Sequence, residues 1–378
     1  MTDAGFKARP CVVVCLLLVG GTARAGDRAN ASLMVYGDSD HVLVFSPTTA
    51  GQVTVGPVEL GAHVTLDIIS AASVDLVTAA SPRGYREVRT EAGAGVAWDL
   101  TQGGGRRLVS LGYTTSQEPD FRTHQLAVGT SLDLLDRLAT LSLGYGFGHS
   151  RYGHVDALDD WQARLTHRVD VGWTHVLHRA VTLDVAYGLT ILDGAQQSPY
   201  RFVRLYAPGA PAGATHTTAV AEAVPDLRLR HTATARVRAR LVPHLFLIGD
   251  YRFYGDSWGV VGHTGTLRLA LGLLDDALTI AVEGRFTHQS AATFYRARYE
   301  SVTGADARIP EWRTADKELS PLWTTLAGLQ LEYTARLGQG HVLRVGAGAD
   351  AYILGYLDYA YASRRTAFIT TFDLTWEH

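Results

Sequence analysis

Five arginines are spaced so that they share one side of an extended chain: Arg228, Arg230, Arg236, Arg238 and Arg240, within residues 227–241. An arginine keeps its proton in any ordinary setting, so such a row is a fixed positive field suited to binding or conducting anions. The positions between them, Leu227, Leu229, Ala233, Ala235, Val237, Ala239 and Leu241, are apolar. This is the period of a β-strand, which sends alternate side chains to opposite faces. No acid lies on the arginine side of the segment, so neutralising partners must come from neighbouring strands. Asp184 on one side and Asp250 on the other are expected to answer two of the five. A second charged face carries Arg164, Arg168 and Asp170 within residues 161–177. The opposite phase there, Trp161, Ala163, Leu165, His167, Val169, Val171, Trp173, His175 and Leu177, carries no carboxylate and no arginine.

Other constellations are weaker. Acyl-transfer chemistry needs a nucleophile beside a base that is itself oriented. His124, His167 and His231 fall on the apolar phase, and no serine is paired with them by spacing, so an enzyme is not expected. His149 and His154 flank residues 150–153 but lack a third ligand in register, and neither a metal site nor a cofactor is expected. Both cysteines, Cys11 and Cys15, lie in the first segment. There Lys7 and Arg9 precede an apolar run over 11–21, followed by Ala23-Arg24-Ala25, the form of an export signal with its cleavage site. Residues 1–25 are thus expected to be a signal peptide and residues 26–378 the mature protein, without disulfide or thiolate chemistry.

The elements that must position these charges repeat the same alternation over residues 88–100, 181–191, 267–273, 278–286, 323–337, 343–353 and 368–376. Several run longer than the usual soluble strand of about 5 to 6 residues, whereas a tilted membrane strand needs roughly 9 to 11. Connections alternate in length. Short turns lie near residues 102–106, 135–137, 178–179, 242–244, 275–276 and 338–340. Long ones lie at 70–86, 116–122, 150–159, 193–225, 256–263, 288–321 and 355–365. Short turns at one rim and long loops at the other describe an outer-membrane barrel with its short side in the periplasm. Trp98, Trp161, Trp173, Trp323 and Trp376 fall on the apolar phase near strand ends, as interfacial girdles require. Charged residues are only 19% of the 378-residue chain and the net charge is -3, so composition carries no nucleic-acid footprint.

The pattern therefore predicts an all-β fold, a transmembrane antiparallel up-and-down β-barrel of 14 to 16 strands. Fourteen are well formed from Val58 onward. Residues 33–54 supply a weaker hairpin over Gly37-Asp38-Ser39-Asp40, which would make sixteen. The final segment, with Phe368, Phe372, Leu374 and Trp376, resembles the recognition strand of bacterial outer-membrane proteins, although Glu377 and His378 follow it.

At residues 36–47 (YGDSDHVLVFSP), 64–81 (VTLDIISAASVDLVTAAS) and Glu87-Val88-Arg89, the chain resembles a bacterial family known as domain of unknown function 3570. That resemblance implies an outer-membrane barrel over nearly all of the mature chain and implies no substrate.

The expected function is a porin-like channel or uptake passage for small solutes in a Gram-negative outer membrane, with an arginine-rich lumen. The alternative is a structural or assembly barrel whose lumen is plugged and which anchors periplasmic or surface partners. Inward arginines and acids nearly balance, so the charges read either as a wall of ion pairs or, along 228–240, as an electropositive stripe. Residues 69–82 contain one charge, Asp75, and read either as a constriction folded into the mouth, with Asp67, Ser70, Ser73 and Asp75, or as a plain surface loop. The longest loop, 193–225, carries Pro199, Pro208, Pro211 and Pro225 and reads as mobile and without regular structure. Expected partners are outer-membrane lipid, small solutes and the barrel assembly machinery, with no nucleic acid.

Overall fold

The computed structural model describes residues 26–71, 85–101, 105–154, 156–211, 213–300 and 309–378. Residues 1–25, expected to be a signal peptide, lie outside the described residues, as do Ser73 and Asp75.

Sixteen strands close into one antiparallel barrel. In chain order they are β1 (Arg28–Asp38), β2 (Val42–Val55), β3 (Val58–Ala71), β4 (Tyr85–Asp99), β5 (Arg107–Gln117), β6 (Phe121–Leu134), β7 (Ala139–Tyr152), β8 (Gln162–His178) and β9 (Val181–Gly194). Two short strands, β10 (Phe202–Tyr206) and β11 (Thr218–Ala221), interrupt the series outside the barrel. The wall resumes with β12 (Leu227–Val242), β13 (Leu245–Asp256), β14 (Val261–Leu273) and β15 (Leu278–Gln289). After the two-residue β16 (Tyr299–Glu300) it ends with β17 (Leu322–Gly338), β18 (His341–Tyr356) and β19 (Arg364–Glu377).

The weak N-terminal hairpin is real, which settles the strand number at sixteen. Its turn is held by the Asp38 carboxylate, which accepts from the backbone N–H groups of Asp40 (2.9 Å) and Val42 (3.0 Å). β1 then pairs along its whole length with β19, from Arg28 opposite Glu377 to Asp38 opposite Ala367. Closure removes every free strand edge in the wall, which a membrane-embedded sheet requires. An even strand number brings both chain ends to the short-turn rim, where the His378 N–H donates to the Asp27 carbonyl at 3.0 Å.

Two short turns use the same device. Leu135-Asp136-Arg137 and Leu274-Asp275-Asp276 each place three consecutive non-glycine residues in the left-handed region, with φ between 52° and 69°. That conformation matches the right-handed twist of the flanking strands, and the well-paired strands on either side hold it against its intrinsic cost.

Faces follow the alternation. Val169, Val171, Trp173, Val185, Tyr187 and Val237 point outward and are exposed, as a lipid-facing surface must be. Buried apolar side chains are concentrated instead in the long loops. One cluster joins Val224, Trp258, Val260, Ala292, Tyr295 and Leu319. A second joins Val203, Leu205 and Tyr299.

The loop over 193–225 is a correction to the sequence reading, which gave it no regular structure. β10 and β11 form an antiparallel hairpin, and β16 from the β15–β17 connection adds in parallel to β10. Val203 and Leu205 are buried because they alternate with Arg204 over a five-residue strand, too short a run to stand out beside the prolines.

Candidate functional site

The row on β12 is turned inward, and its five arginines differ in their surroundings. Arg228 donates to Asp256 through Nε (2.9 Å) and Nη2 (2.5 Å) and lies over the Trp258 ring at 4.1 Å. Arg236 donates to Asp250 at 2.5 Å, and Arg238 to Asp184 at 2.7 Å. The Thr174 hydroxyl steadies Asp184 with a further bond of 2.7 Å. Direct cross-strand register produces the first pair, because Arg236 stands opposite Asp250 on β13, whereas the second is diagonal: Arg238 stands opposite Thr182 on β9 and reaches Asp184, the residue opposite Arg236. Arg230 and Arg240 make no ion pair among the described residues, and the Arg230 Nε is buried without a hydrogen-bond partner. On β8, Arg168 forks onto Asp170 at 2.7 and 2.9 Å. Arg164 has no carboxylate partner among the described residues; its guanidinium lies 5.6 Å over the Tyr152 ring and its Nε is unpaired.

The structure moves Asp67 and Ser70 out of the expected constriction loop, because β3 continues through Ala71. Asp67 is buried in the wall, where it accepts from Arg89 at 2.6 Å and from the Ser46 hydroxyl. The first three residues of the small, uncharged run, Ile69, Ser70 and Ala71, continue this strand, and the rest of the run lies outside the described residues. His149 lies on β7 and His154 in the following loop, where it packs on Tyr200 at 4.8 Å.

Two cavities share the unpaired arginines. The smaller, about 420 Å³, lies where β8, β12, β13 and β14 meet the loops. Arg164, Arg230 and Arg252 border it without carboxylate partners among the described residues, alongside Arg228 and Trp258. Its loop side is made by Arg201, Glu222, Asp316 and Glu318. Arg201 is committed to this side, since it donates to Asp316 at 2.6 Å and stands 3.7 Å from Glu222. Burial, foremost, raises the Glu222 carboxyl above its ordinary range, against the opposing pull of Arg201 and Thr314. Glu318 is raised as well, first by the neighbouring charge of Asp316 and then by burial.

The larger cavity, about 1280 Å³, borders Arg164 and Arg230 too and reaches Arg28, Gln52 and Glu59 at the short-turn rim. Glycines make much of its wall: Gly95 on β4, Gly112 on β5, Gly129 on β6, and Gly144, Gly146 and Gly148 on β7. These sit on the inward phase, opposite outward Val96, Leu111, Val128, Leu143, Tyr145 and Phe147. The larger cavity thus has two kinds of lining: glycines of β4 to β7 on one side, and charged side chains such as Arg164, Arg168, Asp170 and Arg230 of β8 and β12 on the other.

Sequence reading placed Arg252 on the inward phase without singling it out. It could not foresee Trp258, Glu222, Asp316 or Glu318, which come from loops where no period relates position to face. The inward glycines were legible in principle, as a small-residue run on the polar phase of β4 to β7.

A family model described as "Protein of unknown function (DUF3570)" matches residues 19–353. No curated protein matches the chain. Among solved structures, the chain is similar to a bacterial polysaccharide outer membrane secretin, with TM-score 0.50 and 9% identity over 93% of this chain and 98% of that one. It is also similar to the CymD monoaromatic hydrocarbon channel, with TM-score 0.42 and 7% identity over 94% and 89%. The siderophore receptor PirA from Pseudomonas aeruginosa gives TM-score 0.39 and 10% identity over 93% and 81%. At such identities the first likeness speaks to the fold alone: a closed barrel of the outer membrane.

Proposed function

The chain belongs to the DUF3570 family of outer-membrane barrels, and from this premise we propose that it is a porin-like passage for small anionic solutes. The observation that carries the reading is the trio Arg164, Arg230 and Arg252, which border the upper cavity without carboxylate partners among the described residues while their neighbours Arg228, Arg236 and Arg238 are paired. Paired arginines hold the wall; unpaired ones leave a positive potential at the place where a solute would pass from the loops to the glycine-lined side of the lumen. Sixteen strands are wide enough for an aqueous path. A phosphate or carboxylate matches the fixed donor fork of arginine. No step calls for catalysis. Residues 26–378 act as one unit after removal of the signal, and β19, with Phe372, Leu374 and Trp376 outward, would be the strand presented to the barrel assembly machinery.

The test is a planar-bilayer measurement of reversal potential in a salt gradient. Wild type is expected to prefer anions. Arg164→Gln, Arg230→Gln and Arg252→Gln together are expected to shift the potential toward cations, more at low salt than at physiological salt, where screening acts over about 8 Å. An unchanged potential with current still present removes these side chains from the path. The loop clusters around Trp258 and Tyr299 favour a second reading, a plugged barrel that anchors partners. Absence of current at every voltage and salt would select it.

A further inference from the structure

On the membrane-facing side of β6 and β7 the residue types change in order along the strands. Moving away from the short turns, outward positions read Val128, Leu126, His124 and Arg122 on β6, and Tyr145, Phe147, His149 and Arg151 on β7. The phase is fixed by their inward neighbours, because buried Ser150 donates to buried Thr123 at 3.0 Å on the other face. In register, His124 stands opposite His149 and Arg122 opposite Arg151.

Two guanidiniums directly opposite one another on an antiparallel pair repel and weaken it. No carboxylate pairs with either among the described residues, although the exposed Asp159 and Asp160 precede Trp161 nearby. Arg122 instead lies over the Trp161 ring at 5.3 Å, at the upper aromatic boundary of the strand. Just below, the Tyr113 hydroxyl and His124 Nδ1 are 2.7 Å apart. This rim faces away from the periplasm, so the arginines sit at headgroup depth in the outer leaflet, above an apolar strip.

We propose that Arg122 and Arg151 clamp the phosphate of a phosphorylated lipid of the outer leaflet, with His124 and His149 beneath it and the acyl chains along Leu126, Val128 and Phe147. A phosphate between the two guanidiniums turns their repulsion into two charge-assisted contacts. The occupant is a lipid because the cationic pair is continuous with an exposed apolar strip: Leu126 is 48% and Val128 46% exposed, and a free phosphate would leave that strip uncovered.

The experiment uses the full barrel in nanodiscs of phosphatidylcholine doped with bisphosphorylated lipid A, and reads retained lipid by native mass spectrometry. Wild type should retain lipid A and lose it when the phosphates are removed from the lipid. Arg122→Gln with Arg151→Gln should lower the retained fraction about tenfold, as the loss of charged hydrogen bonds implies. Arg179→Gln, in a turn at the opposite rim, should retain it like wild type. Heat-modifiable migration checks that each barrel is folded, and Arg122→Lys with Arg151→Lys keeps charge but not the fork, so it should fall between. Equal retention by the wild type and the double Gln variant overturns the proposal, as does equal retention of dephosphorylated lipid. Displacement by millimolar inorganic phosphate in discs lacking lipid A, seen as a phosphate adduct lost with the two arginines, would assign the site to free anion and overturn it too.

Discussion

The ammonium of Lys317 stands 3.6 Å from the Asp40 carboxylate, and both side chains are largely covered. This contact joins the β15–β17 connection to the turn of the first hairpin, so the loop cap is fastened to the part of the wall where the barrel closes. Neighbouring contacts extend the fastening: the Tyr295 hydroxyl donates to the Asp358 carbonyl at 2.5 Å, and Arg204 lies over Tyr361 at 5.3 Å. The long loops are thus held to one another and to the wall at several points.

Lys317 is the one lysine of the sequence beyond Lys7, which makes it a reporter of the cap. Acylation by an amine-reactive reagent is expected to be slow in the folded barrel. Asp40→Asn should speed it by about fivefold, the equivalent of ~1 kcal/mol for an ion pair of this kind. Peptide mapping of the acylated residue gives the rate. Equal rates in the two proteins would show that the pair does not hold the cap.

The raised carboxyls of Glu222 and Glu318 give the cap a pH dependence. A carboxyl whose folded value is raised favours the folded arrangement when protonated. The contribution is fully present below the ordinary carboxylate value and is lost as pH rises through the raised one. The cap is therefore expected to be tightest in acid and to loosen toward neutrality, with charged Glu222 still partly answered by Arg201. Proteolysis within 193–225 at a series of pH values, normalised to the protease's own profile, measures this. Glu222→Gln should flatten the profile; an unaltered profile would assign the dependence elsewhere.

Bulk on the glycine-lined side should narrow the passage. A Cβ at Gly146 meets nothing nearer than the Arg168 Cβ at 3.7 Å, so Gly146→Phe projects into the larger cavity without a backbone clash. Single-channel conductance is expected to fall by about half, because the ring would stand in the water-accessible part of the barrel. Gly265→Phe, on the outward phase of β14 with no neighbour within 4 Å, should leave conductance unchanged. Equal conductance in both variants would place the conducting path on the charged side.

The wall was legible because period 2 assigns every residue of a long strand to a face, and register then pairs faces across strands. Asp184 and Asp250 could be expected to answer two of the five arginines for this reason, although which two is decided by the three-dimensional contacts, Arg236 with Asp250 and Arg238 with Asp184. Where period fails, so does the reading. Asp67 and Ser70 looked like loop because Ile69-Ser70-Ala71 lacks a charged residue to mark the phase, yet β3 runs through it. The cap was hidden for a different reason: Leu205 of β10 pairs with Tyr299 of β16, nearly a hundred residues away, and no local pattern encodes such a contact. The pocket's loop side, Glu222 and Asp316, was lost with it.

The lipid face gives a last test of phase at a position that needs no functional assay. Val169 is outward on β8, 42% exposed and four residues above Trp173, well inside the apolar band. Arginine there must place its charge in hydrocarbon, at a cost of roughly 2 to 4 kcal/mol near the midplane. Gly172 on the same strand is inward, and a Cβ there meets only the Ser142 Cβ at 3.6 Å. Arginine at Gly172 would extend into water beside Asp170 and should cost far less. Urea titration of folding into detergent-free vesicles, read by heat-modifiable migration, compares Val169→Arg with Gly172→Arg. Similar losses for the two would mean that inward and outward are misassigned along β8, and with them the direction in which Arg164 and Arg168 point.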